Sequence, residues 1–134
     1  MPKGSKNRTP TQRLNLPDGP GRAGEAAAEA ILLSRGLEID GTNFRVREGE
    51  IDVICRSGDQ FVFVEVKTRR TGTFGIPEES LYPVKAGRLI TAAQAYLEQL
   101  GQPDADWRID LLAIEMDRTG RVTRSNLVEN AVTG

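Results

Sequence analysis

Apolar positions along the chain fall into stretches of two different periods, and the change of period marks its elements. Leu89, Ala93, Tyr96, Leu97 and Leu100 recur with helical spacing and Gly101 follows them, which predicts a helix over Val84–Leu100. An Ala-rich run from Arg22 to Arg35, stopped by Gly36, predicts another helix. Ala26, Ala27, Ala30, Ile31, Leu32 and Leu33 form its apolar side, and Glu25 and Glu29 sit one turn apart on a shared stripe. Between the helices, Glu38–Arg47, Glu50–Arg56 and Phe61–Thr68 are rich in β-branched and aromatic residues and predict three strands. Arg69–Pro83, with Gly72, Gly75, Pro77 and Pro83, reads as a long loop. Trp107–Met116 predicts a fourth strand, Asp117–Gly120 a turn, and Arg121–Val128 a weak final strand. Residues 1–21 are rich in Pro, Gly, Thr and Asn and have the composition of a disordered tail. The order αβββαβ(β), without internal repeats, defines an α/β fold.

Turn chemistry gives the first strands a register. Ser57-Gly58-Asp59-Gln60 is a turn cluster, and centring the hairpin on Gly58-Asp59 sets Asp52 opposite Glu65. Glu48-Gly49 reads as the preceding hairpin turn, which sets Arg45 opposite Asp52 and Arg47 opposite Glu50. With both turns in place, one sheet face collects Phe44, Val46, Ile51, Val53, Val62, Val64 and Val66, all apolar. The other face carries Arg45, Asp52 and Glu65 in one row, Arg47, Glu50 and Lys67 in the next, and Ile54 opposite Phe63 further along. That face is expected to be covered at one end and open and charged at the other.

Composition narrows the chemistry. The chain of 134 residues has the length of one domain, and no apolar run approaches the roughly 18 residues of a membrane span. The N-terminal stretch has charge but no apolar core of a secretory signal. A single cysteine, Cys55, cannot form an internal disulfide and fits a reducing, cytoplasmic setting; its apolar neighbours predict a buried, inert thiol. Histidine is absent, which excludes Ser-His-Asp and Cys-His machinery and His-ligated zinc. Any metal must be hard and oxygen-bound, such as Mg²⁺, Mn²⁺ or Ca²⁺. Residues 1–22 hold five basic residues against one acidic, net +4, while the remainder holds 13 basic and 18 acidic, net −5. A basic tail on an acidic body is compatible with nucleic-acid contact or with a simple solubilising tail. The acidity of the body counts against tight duplex binding by a monomer, and a homodimer joining two basic edges would ease this.

Like charges facing each other across a ladder destabilise a sheet. Two readings of Asp52 and Glu65 therefore stand side by side. In one, a divalent cation sits between the two carboxylates, the backbone carbonyl of Val66 adds a ligand, and Lys67, on the face of Glu65, orients water or steadies charge on a phosphate. In the other, Arg45–Asp52, Arg47–Glu50 and Lys67–Glu50 are salt bridges on a wet sheet, each worth about 0–1 kcal/mol. Glu25 reaches the acidic pair if the first helix covers the charged face; otherwise it is a first-turn glutamate. Arg69, Arg70, Lys85 and Arg88 flank the following loop, where they can position a phosphate backbone or sit solvated. Phe74 can stack on a base or pin its loop.

Taken together, Glu25, GEID at 49–52 and FVEVKTR at 63–69 resemble the PD-(D/E)XK nuclease superfamily, and within it the YraN-like bacterial proteins. The resemblance runs through GRAGEAAAEAILLSRG, NFRVREGEIDVI, FVFVEVKTRRTGTFG, PVKAGRLITAAQAYL and RID at 108–110, about residues 22–130. It implies a restriction-endonuclease-like αβββαβ core over 22–134, a central mixed sheet flanked by helices. It further implies a Mg²⁺- or Mn²⁺-dependent nuclease related to Holliday-junction resolvases, cutting DNA that is branched or damaged. On that resemblance Asp52 and Glu65 are metal ligands, Lys67 is the catalytic lysine and Glu25 is the helix carboxylate beside the metal, with Arg45 joining Arg69, Arg70, Lys85 and Arg88 toward nucleic acid. Ile51 stands where the superfamily usually has proline before Asp52, and Gln94 and Tyr96 do not keep the Gln/Tyr spacing of some relatives. A non-enzymatic nucleic-acid-binding or protein-interaction adaptor that retains the fold is the alternative.

Overall fold

The computed structural model describes residues 20–71 and 83–132. Helix α1 (Pro20–Ser34) leads into strands β1 (Glu38–Val46), β2 (Gly49–Ser57) and β3 (Gln60–Arg70), followed by helix α2 (Pro83–Gln99) and strands β4 (Trp107–Met116) and β5 (Val122–Val128). The five strands form one sheet in the order β1-β2-β3-β4-β5. The β3–β4 pair is parallel and the others are antiparallel, so the sheet is mixed. The chain outside the described residues includes the tail to residue 19 and the loop stretch 72–82 with Phe74.

Both helices end as their glycines dictate. Gly36 and Gly101 have positive φ, at 85° and 79°. The two amides after each helix turn back onto its last carbonyls: Gly36 and Leu37 bond Leu33 and Leu32, and Gly101 and Gln102 bond Glu98 and Leu97. Each helix covers one face of the sheet. Ala28 and Leu32 of α1 pack on Val53, Cys55, Val62, Val64, Leu112 and Ile114. Leu89, Ala92, Ala93, Tyr96 and Leu97 of α2 pack on Ile51, Ile54, Phe61, Phe63 and Ile109. The central strands are buried on both sides, which is why they read as continuous apolar runs.

Three expectations change in this light. The inward stripe of α1 is Gly24, Ala28 and Leu32, while Ala26, Ala30 and Leu33 are exposed; an alanine-rich helix has little apolar contrast to reveal its inner side. Leu100 falls just past the end of α2 and outside the core, 39 % exposed. The supposed single apolar face is divided: Phe44, Val46 and Ile51 pack on the α2 side, and Val53, Val62, Val64 and Val66 on the α1 side. Ile51 and Val53 are two apart yet on opposite faces, so the alternation of β2 breaks at Asp52. In β1 the facing position is Asn43, whose φ is 55°.

The β1–β2 register also moves by two residues. Arg45 faces Glu50 and Val46 faces Gly49, so Arg47-Glu48 makes the turn. The expected pairs Arg45–Asp52 and Arg47–Glu50 do not form. Gly49 is needed for a different reason: a Cβ there would stand 2.8 Å from the Arg88 carbonyl oxygen, so it lets α2 lie close across the hairpin.

Candidate active site

The β2–β3 hairpin turns where its residues demand, with Gly58 at φ 61° and Ser57 facing Gln60. The ladder runs from Ser57↔Gln60 to Val53↔Val64 and stops one pair short of Asp52 and Glu65. At that point the Asp52 carboxylate replaces the missing rung, with Oδ2 accepting from the Val66 N–H at 2.8 Å. Beyond it β3 runs beside β4, where Glu65 faces Leu111 and Lys67 faces Ala113. The two carboxylates thus lie where β2 and β3 part.

Their environment is crowded and dry. Glu65 is only 4 % exposed. Lys67 Nζ stands 3.5 Å from Glu65 Oε2, so the lysine pairs with Glu65 and not with Glu50. Burial first, and the neighbouring Glu65 charge second, push the Asp52 carboxyl up from 3.8 to about 7, against the pull of the Val66 N–H. The pair opens into a groove of ≈ 1300 Å³. One wall is the β1–β2 hairpin from Arg45 to Glu50, and the other is α2 through Gly87, Arg88, Leu89 and Thr91.

The predicted residues divide among several places. Asp52, Glu65, Val66 and Lys67 share the groove with Arg45 and Arg88. Arg45 is tied to Glu50 at 3.2 Å in an exposed pair. Arg69 and Arg70 line a separate hollow of ≈ 520 Å³ with Ala23, Met116 and the Asp117–Gly120 turn. Lys85 lies in α2 with its side chain outside the described residues. The charged face is covered by α2 and not by α1, so Glu25 is not part of the groove wall. Glu25 Oε2 instead accepts from Asn43 Nδ2 at 3.4 Å. Among the described residues, no three Asp, Glu or Cys side chains gather closely enough to hold a metal ion. The side-chain oxygen donors lining the groove are Asp52 and Glu65, with Glu48, Glu50 and Thr91 on its walls.

Several polar residues that sequence reasoning passed over are built into the framework. Asp110 is fully buried, accepts from Arg108 Nε at 3.0 Å and from the Asn130 N–H at 2.9 Å, and so ties the segment after β5 back to β4. That hydrogen bond holds the Arg108 guanidinium above its ordinary pKa. Tyr96 Oη donates to Asp40 Oδ2 at 2.7 Å from within an aromatic cluster with Phe44, Phe61 and Phe63. It belongs to the core and Gln94 is exposed, so neither lies in the groove. Asn43 carried a signal in the Gly41-Thr42-Asn43 run, where Gly41 and Asn43 are poor strand formers within a predicted strand. Cys55 is buried, and burial pushes its thiol up to about 12, which makes it inert as expected.

A five-stranded mixed sheet between two helices, with its carboxylates where two central strands part, is an α/β architecture consistent with a restriction-endonuclease-like core. The chain belongs to the uncharacterised protein family UPF0102, whose sequence model matches residues 24–114. It is 42 % identical over 111 residues to a UPF0102 protein of Symbiobacterium thermophilum, covering 83 % of this chain and 93 % of that one. A UPF0102 protein of Moorella thermoacetica is 40 % identical over 111 residues, with 83 % and 92 % covered. One from Geobacter sulfurreducens is 43 % identical over 94 residues, with 70 % and 73 % covered. Among the described residues no helix is long and apolar enough to cross a membrane.

Proposed function

We propose that this protein is a Mg²⁺- or Mn²⁺-dependent nuclease that hydrolyses DNA phosphodiester bonds in the groove between the β1–β2 hairpin and α2. The observation that carries this reading is the Asp52–Glu65 pair. Buried Glu65 and half-buried Asp52 lie together where the ladder opens, and the pKa of Asp52 is raised to about 7. Buried like charges are costly unless something of opposite sign shares them, and Lys67 offsets only one. Hard oxygen donors with room for water fit a small divalent cation. Asp52, Glu65 and the Val66 carbonyl would hold it, and when bound it would acidify a water and polarise a phosphoryl oxygen.

The chain's own groups supply the rest. The Val66 N–H fixes one oxygen of Asp52, whose residue lines the groove. Lys67, held at Glu65, brings an ammonium to the place where charge grows on a phosphate. Arg45 and Arg88 line the groove on either side and can position the backbone on both sides of the scissile bond. Arg69 and Arg70, in their separate hollow, would add a second basic contact for the backbone. Branched or damaged DNA is the preferred substrate in this reading, and a homodimer would join two such sets of contacts.

A second reading has one observation in its favour. Among the described residues no three carboxylates gather closely enough to hold a metal ion, as expected for an adaptor that binds nucleic acid or protein through the same fold without cutting. A cleavage assay with Mn²⁺ on single-stranded, duplex, flapped and four-way DNA separates the two. Cutting that Lys67→Ala reduces at least about a hundredfold supports the nuclease. Mn²⁺ binding without cutting of any substrate supports the adaptor.

A further inference from the structure

The hollow of ≈ 520 Å³ at the end of β3 is built as closely as the groove, and nothing in the groove uses it. Two glycines shape it. A Cβ on Gly24 would stand 2.6 Å from Thr68 Cγ2, so glycine there lets the start of α1 lie against β3. Gly120, at φ 85°, brings the β4–β5 turn up to Ala23, where a Cβ would stand 4.0 Å from that of the alanine. Ala23 and Met116, the latter 5 % exposed, give the hollow apolar walls. Arg118 stands exposed on the turn itself. That turn is held from within: Asp117 Oδ1 accepts from the Thr119 N–H at 2.9 Å, from Thr119 Oγ1 at 2.6 Å and from the Arg121 N–H at 3.0 Å. The position of Arg118 is therefore set before anything binds.

The lining holds three arginines, Arg69, Arg70 and Arg118, against one aspartate, Asp117. Positive charge at the rim, apolar walls and this volume suit a compact anionic ligand, for which pockets span about 300–1,000 Å³. A duplex backbone running over a surface needs no recess with apolar walls. An unpaired nucleotide does: it presents a phosphate to guanidinium groups and a base to apolar and guanidinium faces. Lys67 in the groove and Arg70 in the hollow are three residues apart on β3, about 10 Å, so one strand can reach both. We propose that this hollow takes one unpaired nucleotide of the DNA strand that leaves the groove, with its phosphate on Arg70 and Arg118 and its base against Met116 and Ala23. Its link to the groove rests on the nuclease reading; its affinity for a nucleotide does not. The hollow selects DNA that carries a single strand beside the scissile bond, which gives the preference for branched substrates a physical cause.

Backbone amide shifts of the full chain, titrated in EDTA with thymidine 5′-monophosphate and then with hexathymidylate, test occupancy without metal or cleavage. Shifts are expected at Ala23 and at residues 116–120. Arg118→Ala, on an exposed turn, is expected to melt like wild type and to bind hexathymidylate about fivefold more weakly at low salt, with a salt slope smaller by about 0.7. Arg35→Ala, exposed at the other end of α1, is expected to leave both affinity and slope unchanged. Shifts absent from these residues, equal losses in the two arginine variants, or displacement of hexathymidylate by oligoglutamate of equal charge would overturn the site. In the Mn²⁺ cleavage assay, Arg118→Ala is expected to slow cutting of flapped DNA about fivefold and of blunt duplex less than about twofold. An equal loss on both substrates would overturn the link to the groove. Failure of the wild-type chain to cut either would overturn the nuclease reading, and the amide shifts would still decide the hollow.

Discussion

Replacing Asp52 by asparagine asks whether the acidic pair is strained when no cation is bound. The amide keeps an oxygen for the Val66 N–H and removes the charge that Glu65 opposes. With its carboxyl raised from 3.8 to about 7, Asp52 holds a proton in the folded state that the unfolded chain has already lost across that window. The folded state binds more protons there, so this group's contribution to stability declines as pH rises from about 4 to about 7. At about 1.4 kcal/mol per pH unit the full effect above pH 7 is at most ~4 kcal/mol, and ~1–3 kcal/mol once residual solvent contact is allowed for. Asp52→Asn is therefore expected to stabilise the protein by that amount at pH 8.5 in EDTA and to change little at pH 4. Urea unfolding at the two pH values, with the slope checked for constancy, measures it directly. A variant less stable than wild type at pH 8.5, or a gain equal at both pH values, would show that ionising Asp52, half-buried beside Glu65, does not cost the fold stability.

Two further predictions concern the frame around the groove. Gly49→Ala places a methyl 2.8 Å from the Arg88 carbonyl oxygen, so α2 must shift; a loss of about 1–3 kcal/mol is expected in thermal or urea unfolding. Asp110→Ala removes the acceptor of the Asn130 N–H and the nearest carboxylate partner of Arg108, which keeps Gln60, and about 1–3 kcal/mol should be lost. Hydrogen exchange should locate that loss first at residues 129–132.

How far the sequence was legible depends on what each signal could mean. The β2–β3 hairpin follows from its turn chemistry because Gly58 does what a turn glycine does, taking positive φ. The β1–β2 hairpin does not, because Gly49 serves the close approach of α2, and a glycine in a sequence does not say which of the two uses it has. Alternation assigned Ile51 and Val53 to one face on the assumption that β2 is regular. Asn43 and Asp52 break that regularity, and only long-range pairing reveals the break. Asp52, Glu65 and Lys67 come together because they lie on one hairpin, where spacing suffices. Glu25 needed the placement of a helix, and two apolar faces gave no means to choose which helix covers which.

The parallel β3–β4 ladder has a consequence for how the molecule assembles. The two β1–β2–β3 hairpins close over a few residues each, whereas the first rung between β3 and β4 joins Phe61 to Trp107. Long loops close slowly, so that rung belongs to the late steps of folding. The acidic pair is then brought together in a β-meander before β4 and α2 seal it from water. Assembly in that order lets the carboxylates meet while still hydrated, and moves the cost of drying them to the last step, when the remaining core is ready to offset it.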